Sequence, residues 1–155
     1  MERTIDFENL RWVKLYNPEI IPQKLIEEIR GRTYSVEEFY EYQKINKENP
    51  GNLLYAIADN DNKIRGYLWA EMNALDESLF INTFSIDKEY WNKGEAIDFA
   101  IEFLRDLKDK IKARFVYWMT TNSRFFMKKG FKESKHHLMI YEGEEEDGTE
   151  QGQQL

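Results

Sequence analysis

The sequence has no cysteine among its 155 residues. This absence excludes disulfide bonds, zinc sites built from thiolates and cysteine nucleophiles. The chain also has no apolar run near the roughly 18 residues that a membrane-spanning helix needs. Its first residues, MERTIDFENL, contain no apolar segment of the kind found in a signal peptide. We therefore expect a cytoplasmic protein with no membrane partner.

Basic residues are fewer than acidic ones, and the resulting negative charge is unevenly distributed along the chain. The chain carries 22 Lys and Arg residues against 29 Asp and Glu residues, which gives a net charge of -7. Residues 142–155, EGEEEDGTEQGQQL, hold a large part of this acidity and contain no basic residue. Because the rest of the chain is nearly neutral, it lacks the basic surface of a nucleic-acid-binding protein. The run of like charges with Gly and Gln predicts a disordered tail over residues 142–155.

Apolar and aromatic residues are plentiful, at 41% and 15% of the chain. A chain of this length and composition can bury a core without a disulfide or a metal. We therefore expect one domain over residues 1–141. Three patterns indicate its organisation: Ser35 and Glu38 have the spacing of a helix capping box, residues 60–62 favour a tight turn, and residues 97–111 have the apolar spacing of an amphipathic helix.

The predicted elements follow the order β-α-α-β-β-β-α-β-α-β. After the capping box, Phe39, Tyr42 and Ile45 recur at helical spacing. An antiparallel meander is followed by a β-α-β unit, so the fold class is α/β (α+β) with a mixed sheet. Strands are predicted at about 10–16, 52–58, 63–73, 79–86, 115–119 and 132–141, and helices at about 22–30, 35–45, 95–112 and 122–129.

The segment between the fourth strand and the long helix, IDKEYWNKGEA (86–96), carries a recognisable pattern. It resembles the loop of the GNAT superfamily that binds the diphosphate of acyl-CoA. That loop follows a strand ending in valine and has an aromatic residue, then Arg or Gln, then two small residues. Ile86 takes the valine place, Tyr90 the aromatic place, and Gly94 and Ala96 the small places. The unpaired amides and positive dipole end of a following helix favour a bound diphosphate.

A second segment, RFFMKKGF (124–131), resembles a later part of the same family. There, an asparagine opens a short helix and reaches the pantetheine arm, and an aromatic residue follows before a Gly-Phe pair. Asn122 and the pair Gly130 and Phe131 take these places. The aromatic residue is often a tyrosine that protonates the departing thiolate, but here it is Phe126, which cannot donate a proton.

The resemblance implies a GNAT-like fold, with a mostly antiparallel central sheet of about six or seven strands and about four flanking helices. It also implies acetyl-CoA as the cofactor, an amine as its acceptor, and possible homodimers as in similar proteins. Glu71, on the third strand, is the candidate general base, or alternatively a solvent-facing strand residue. No metal site is expected, because the adjacent His136 and His137 point to opposite faces of a strand. The implied cofactor-binding residues are Ile86, Trp91, Asn92, Lys93, Gly94, Glu95, Ala96, Asn122 and Phe126.

Two functions remain open at the level of sequence. One is an acyl-CoA-dependent N-acetyltransferase, in which the amine attacks the thioester directly. The other is a catalytically degenerate GNAT-fold protein that serves as a structural or protein-binding component, for example of a viral or other assembly. The second is motivated by Trp91 in place of Arg or Gln, by Phe126 in place of tyrosine, and by Glu95 between the small residues. The Glu95 carboxylate either faces the phosphates and repels them, or it points into water as an ordinary first-turn glutamate of the helix.

Overall fold

A computed structural model describes most of the first 134 residues of the chain. The chain forms two compact units, residues 1–120 and residues 121–155. The single domain predicted over residues 1–141 and the tail predicted over residues 142–155 stay predictions. The described residues are 7–29, 31–73, 75, 77–91, 94–120, 123–134, 139, 141 and 143.

The first unit is built on one sheet whose strands follow chain order. Its strands are β1 (Arg11–Lys14), β2 (Asn52–Ala58), β3 (Ile64–Asn73), β4 (Ser78–Ile86) and β5 (Phe115–Trp118). The pairs from β1 to β4 are antiparallel, and β4 pairs with β5 in parallel. The mixed, mostly antiparallel sheet predicted from the element order is therefore confirmed.

The number of strands differs from the prediction. The described residues contain five strands rather than six or seven. The missing one was predicted over residues 132–141, where the described residues 132–134, 139 and 141 are not in a strand and the others lie outside the described part. Lys132, Glu133 and Ser134 are polar and exposed, so they present no apolar face that a sheet could bury.

Four α-helices occur in the described residues, as predicted. They are α1 (Gln23–Glu27), α2 (Val36–Ile45), α3 (Glu95–Ile111) and, in the second unit, α4 (Ser123–Lys128). Helices α1 and α2 pack on one face of the sheet, and α3 covers the other. None of the helices in the described part of the chain has the length and apolar character needed to cross a bilayer.

Helix α2 begins at the predicted capping box. The Ser35 hydroxyl accepts the backbone N–H of Glu38, and the Glu38 carboxylate accepts the backbone N–H of Ser35, each at 3.0 Å. The face that α2 buries runs through Val36, Phe39 and Gln43. The Tyr42 side chain is 38% exposed and that of Ile45 is 73% exposed, so these two residues lie at and beyond the edge of the packed face.

The two faces of the sheet have separate cores. On the α1–α2 face, the fully buried Leu25 and Ile26 pack with Phe39 and Tyr67. On the α3 face, Leu104 and other residues of the helix pack on β3 and β4. Fully burying one such aliphatic side chain contributes about 1.5–3 kcal/mol to the free energy of unfolding. These layers fix the position of β4, whose end leads into the candidate site.

Strand β1 forms one edge of the sheet in the described residues, since it pairs only with β2. Its two end residues, Arg11 and Lys14, are exposed. Between them, the Trp12 ring stacks on Phe103 of α3 at a centroid distance of 4.2 Å. This strand is therefore held by its aromatic side chain as well as by its ladder to β2.

Candidate functional site

Strands β4 and β5 run together only over the first half of β4. The partners of β5 are Ser78–Ile81, whereas β4 continues to Ile86. In the described residues, β4 therefore has no strand partner on this side from Asn82 onward. Asn82 also forms a β-bulge. Ile81 pairs with Ala70 and Thr83 pairs with Trp69, so Asn82 has no ladder partner on β3. A cleft between two parallel strands thus opens at an irregular point of β4.

The loop that follows β4 is fixed at the end of the strand. A short 3-10 turn, Lys88–Tyr90, leads to Trp91. The Trp91 indole N–H donates to the carbonyl of Ile86 at 2.9 Å, while the side chain stays 60% exposed. The Lys88 ammonium lies 6.0 Å from the centroid of the same indole. Trp91 therefore contacts the end of β4 while much of its side chain remains exposed to solvent.

Gly94 is the N-cap residue that precedes helix α3, and it has a φ of 86°. This left-handed conformation strongly favours glycine. As a glycine, Gly94 supplies no side-chain cap of its own, and the first-turn amides of a helix lack intrahelical acceptors. Glu95 is exposed, so its carboxylate lies in solvent, whereas Ala96 is buried in one cluster with Ile86. The structure therefore brings Ile86, Trp91, Gly94 and Ala96 into one corner of the first unit.

Arg65 holds this corner to the neighbouring strands. Its Nε lies 2.8 Å from a carboxylate oxygen of Asp59, and its Nη1 lies 3.3 Å from Asp87 and 3.0 Å from Glu89. Asp87 also pairs with Lys24 of α1 at 3.2 Å. The pKa of Asp59 lies below its ordinary value because the backbone N–H of Lys63 and the Arg65 side chain donate to its carboxylate. The acidic residues after β4 are thus partly neutralised by one arginine and one lysine.

Glu71 lies beside the opening of β4 and β5, on the face that carries α2. One carboxylate oxygen accepts the side-chain amide of Asn82 at 2.7 Å, and the other accepts the hydroxyl of Tyr42 at 2.8 Å. The residue is half-buried. Burial, followed by the hydrogen bond to Glu71 and its negative charge, raises the pKa of Tyr42 to about 12. Tyr42 therefore remains a protonated donor to Glu71 at neutral pH.

The sheet register separates Glu71 from the loop after β4. Gly66 of β3 pairs with Ile86, and Glu71 lies five residues further along the same strand. At the rise of a β-strand, this separation is roughly 17 Å. The two sets of candidate residues thus lie at two positions along the same pair of strands. An extended ligand that follows β4 could contact both.

Several residues inferred from sequence are not placed in this arrangement. Phe126 belongs to α4 in the second unit, where it is buried and its ring contacts Phe131 edge-on at a centroid distance of 5.3 Å. Its proposed role at the cofactor stays a prediction. The following candidates lie outside the described residues: Asn92, Lys93, Asn122, His136 and His137.

Sequence reasoning missed three residues that shape the site: Tyr42, Asn82 and Arg65. Tyr42 fitted the apolar spacing of α2, which concealed its polar contact with Glu71. Asn82 is the amide in the middle of the otherwise largely apolar strand SLFINTFSI, and such an interruption is a signal for a bulge. Arg65 gave no signal, since its acidic partners come from two other segments of the chain, Asp59 after β2 and Asp87 and Glu89 after β4.

No protein-family model and no curated protein matches the chain, but solved structures do. A possible acetyltransferase from Clostridium difficile 630 matches 88% of this chain and 99% of its own at 12% identity and a TM-score of 0.69. Glucosamine-6-phosphate N-acetyltransferase from Arabidopsis thaliana matches 86% of this chain and 99% of its own at 18% identity and a TM-score of 0.58. A mutant form of the spermidine/spermine N-acetyltransferase SpeG from Vibrio cholerae matches 83% of each chain at 16% identity and 0.68. At these identities, the similarity is one of fold.

Proposed function

Because this chain has the fold of the GNAT acetyltransferases, we propose that it is an N-acetyltransferase that moves an acetyl group from acetyl-CoA to an amine. The observation that carries this proposal is the parting of β4 and β5 beside a helix that begins without a side-chain cap. Open strand edges and free amides are what an extended, anionic cofactor needs along its length. The sequence pattern at residues 86–96 independently supports the same position.

The diphosphate is proposed to bind at the first turn of α3. Gly94 and Ala96 place no bulky side chain there, and Glu95 is exposed to solvent. The amides and the positive end of the helix dipole supply the attraction. Ile86 and Trp91 line the adjacent end of β4. By resemblance, Asn92, Lys93, Asn122 and Phe126 complete the cofactor contacts.

The acetyl group is proposed to lie near the bulge at Asn82, within reach of an amine beside Glu71. Glu71 accepts the proton that the acceptor's ammonium group loses, which frees the nitrogen lone pair for attack. The nitrogen forms a bond to the thioester carbonyl carbon as the carbon–sulfur bond breaks, and it then releases a second proton to solvent, which leaves a neutral amide. The departing thiolate takes its proton from solvent, because Phe126 has none to give. The products are the N-acetylated amine and free CoA.

Cofactor binding can be tested by thermal unfolding in millimolar acetyl-CoA. A ligand present at a hundred times its dissociation constant stabilises a protein by about 2.7 kcal/mol, so the wild-type Tm should rise by several degrees. Gly94→Ala should remove most of this rise. Its matched control is Gly31→Ala, because Gly31 also has a positive φ, 74°, and a Cβ there meets no atom within 4 Å. Both variants place alanine in the left-handed region at a similar cost of about 1–2 kcal/mol.

Wild-type protein that is folded but shows no Tm rise with acetyl-CoA would contradict the proposal. The same conclusion follows if Gly94→Ala and Gly31→Ala respond to the cofactor alike. A failure of binding would instead favour the catalytically degenerate GNAT-fold protein. A rise in Tm together with release of free thiol in the presence of an amine, detected with a thiol reagent, would support transfer.

A further inference from the structure

Among the residues that the structure describes, the donors to Glu71 are neutral. Its oxygens accept from the Tyr42 hydroxyl and the Asn82 amide. Within the part of the chain that the structure describes, the ion pairs involve other carboxylates and none includes Glu71. A half-buried carboxylate with no cationic partner attracts a cation that can reach it. Tyr42 and Asn82 orient the oxygens without cancelling their charge.

Aromatic rings surround this carboxylate on the same face of the sheet. The Tyr42 ring lies 5.3 Å from the ring of Trp69, which is two residues before Glu71 on β3. Phe80 is the β4 partner of Glu71, and paired residues of adjacent strands have Cβ atoms about 4.5–5.5 Å apart. Phe80 in turn lies 6.5 Å from the ring of Tyr117 on β5. These rings are exposed or half-buried, so they are available to a ligand.

We propose that this group of residues, the Glu71 cluster (Tyr42, Trp69, Glu71, Phe80, Asn82 and Tyr117), binds the acceptor as a cationic amine with an apolar substituent. The proposal rests on the proposed function, since it names the acceptor class of the same site. Ring faces attract ammonium groups and also contact apolar carbon. One carboxylate among rings therefore suits a single alkylammonium or arylalkylammonium group.

The cluster disfavours acceptors that carry a phosphate. None of its six members is basic, and a phosphate needs Arg, Lys or backbone donors to offset its charge. A phosphorylated amino sugar placed here would set its phosphate beside the uncompensated carboxylate of Glu71. The like charges repel in a half-buried setting. The cluster thus selects among amine acceptors, because it attracts the ammonium group and repels a phosphate on the same molecule.

The test measures binding without acetyl-CoA, so that it is independent of transfer. Benzylamine is titrated into the wild-type protein and followed by NMR chemical shifts, with benzyl alcohol as its uncharged counterpart and glucosamine 6-phosphate as an anionic amine. Benzylamine should bind at least about tenfold more tightly than benzyl alcohol or glucosamine 6-phosphate, in line with the strength of a hydrogen bond to a charged group. Glu71→Gln should remove this preference while retaining the side-chain shape.

Two further variants complete the experiment. Glu102→Gln removes one exposed carboxylate from α3 on the opposite face and should leave benzylamine affinity unchanged. Tyr42→Phe keeps the ring and removes the hydroxyl, so it should weaken benzylamine binding less than Glu71→Gln does. Equal affinity for benzylamine and glucosamine 6-phosphate would overturn the proposal, as would an equal effect of Glu71→Gln and Glu102→Gln. Amine binding without any acetyl-CoA binding would support this proposal and refute the proposed function.

Discussion

Individual side chains in the first unit are oriented by contacts that cross from one element to another. The indole of Trp91 is bound to the carbonyl of Ile86, and the carboxylate of Glu71 is held between Tyr42 of α2 and Asn82 of β4. Each contact joins a half-buried or exposed group to a strand. Because these side chains are only partly packed, hydrogen bonds rather than close packing determine where they point.

The ionisation of Tyr42 reports directly on its contact with Glu71. Burial, the hydrogen bond and the charge of Glu71 together raise the pKa of Tyr42 to about 12. In Glu71→Gln the charge is lost but burial remains, so the pKa of Tyr42 should fall while staying above 10.0, its ordinary value. Alkaline absorbance titration measures phenolate formation, and Tyr42→Phe identifies which part of the signal belongs to Tyr42. Superimposable titrations of the wild type and Glu71→Gln would refute this contact.

At the scale of elements, the close approach of β3 and β4 sets the position of the loop after β4. A Cβ built on Gly66 would lie 2.6 Å from the carbonyl oxygen of Ser85 and 3.1 Å from the Cα of Ile86. These are backbone atoms, which cannot rotate away as a side chain would. The absence of a side chain at Gly66 therefore lets β4 lie close to β3, which places the carbonyl of Ile86 where the Trp91 indole can donate to it.

Gly66→Ala should push the end of β4 away from β3. Overpacking of this kind lowers the free energy of unfolding by about 1–3 kcal/mol, and the shift should also weaken acetyl-CoA binding at the corner. Denaturant unfolding and calorimetric titration measure the two effects. Gly51→Ala is the matched control, since its nearest contact is a side-chain oxygen of Asn49 at 3.4 Å. If both variants lose equal stability and affinity, the close approach at Gly66 does not position the loop.

The helices and the hairpin could be predicted from sequence because their signals are local. The capping box at Ser35 and Glu38 and the turn at residues 60–62 appear in the structure, where Asn62 has a φ of 64°. The apolar spacing of α3 likewise matched a helix over Glu95–Ile111. The burial of Gln43 on α2 could not be predicted, because its side-chain oxygen accepts from Asn52, a residue that lies outside the α2 spacing pattern.

The candidate site was less predictable than the fold. The position of Gly94 at a helix start follows from a local pattern, and Glu71 was identified from its strand. The bulge at Asn82 and the contacts that orient Glu71 depend on the register between β3 and β4, which no single segment encodes. The partners of Arg65 likewise come together only when the residues after β2 meet the turn after β4.

At the scale of the whole molecule, the Arg65 network links the end of β2 to the turn after β4, and its strength depends on pH. The pKa of Asp59 is lowered by its backbone and Arg65 donors. A lowered carboxyl pKa stabilises the fold above the unfolded value of about 4, and this contribution is lost as the pH falls through the folded value. The network is therefore strongest near neutral pH.

Arg65→Met should lower the free energy of unfolding at pH 7, and the difference from wild type should shrink as the pH falls below about 4. Urea unfolding across a pH series measures this. The control is Lys44→Met, because Lys44 pairs with Glu19 on the surface, where both side chains are more than half exposed. Such a pair contributes little, so Lys44→Met should stay close to wild type. A difference between Arg65→Met and wild type that is independent of pH would exclude the ionic origin.

The edge strand β1 bears on how copies of this chain can associate. Unpaired strand edges are templates for another chain, and exposed cations at an edge oppose such pairing. Arg11 and Lys14 stand at the two ends of β1, so an antiparallel copy would bring like charges together along the new ladder. A dimer in which the five-stranded sheets of two copies join through β1 is thus disfavoured. Fibril growth by repeated strand pairing at this edge is disfavoured for the same reason. The homodimer that the resemblance implies as possible is therefore disfavoured through this strand edge.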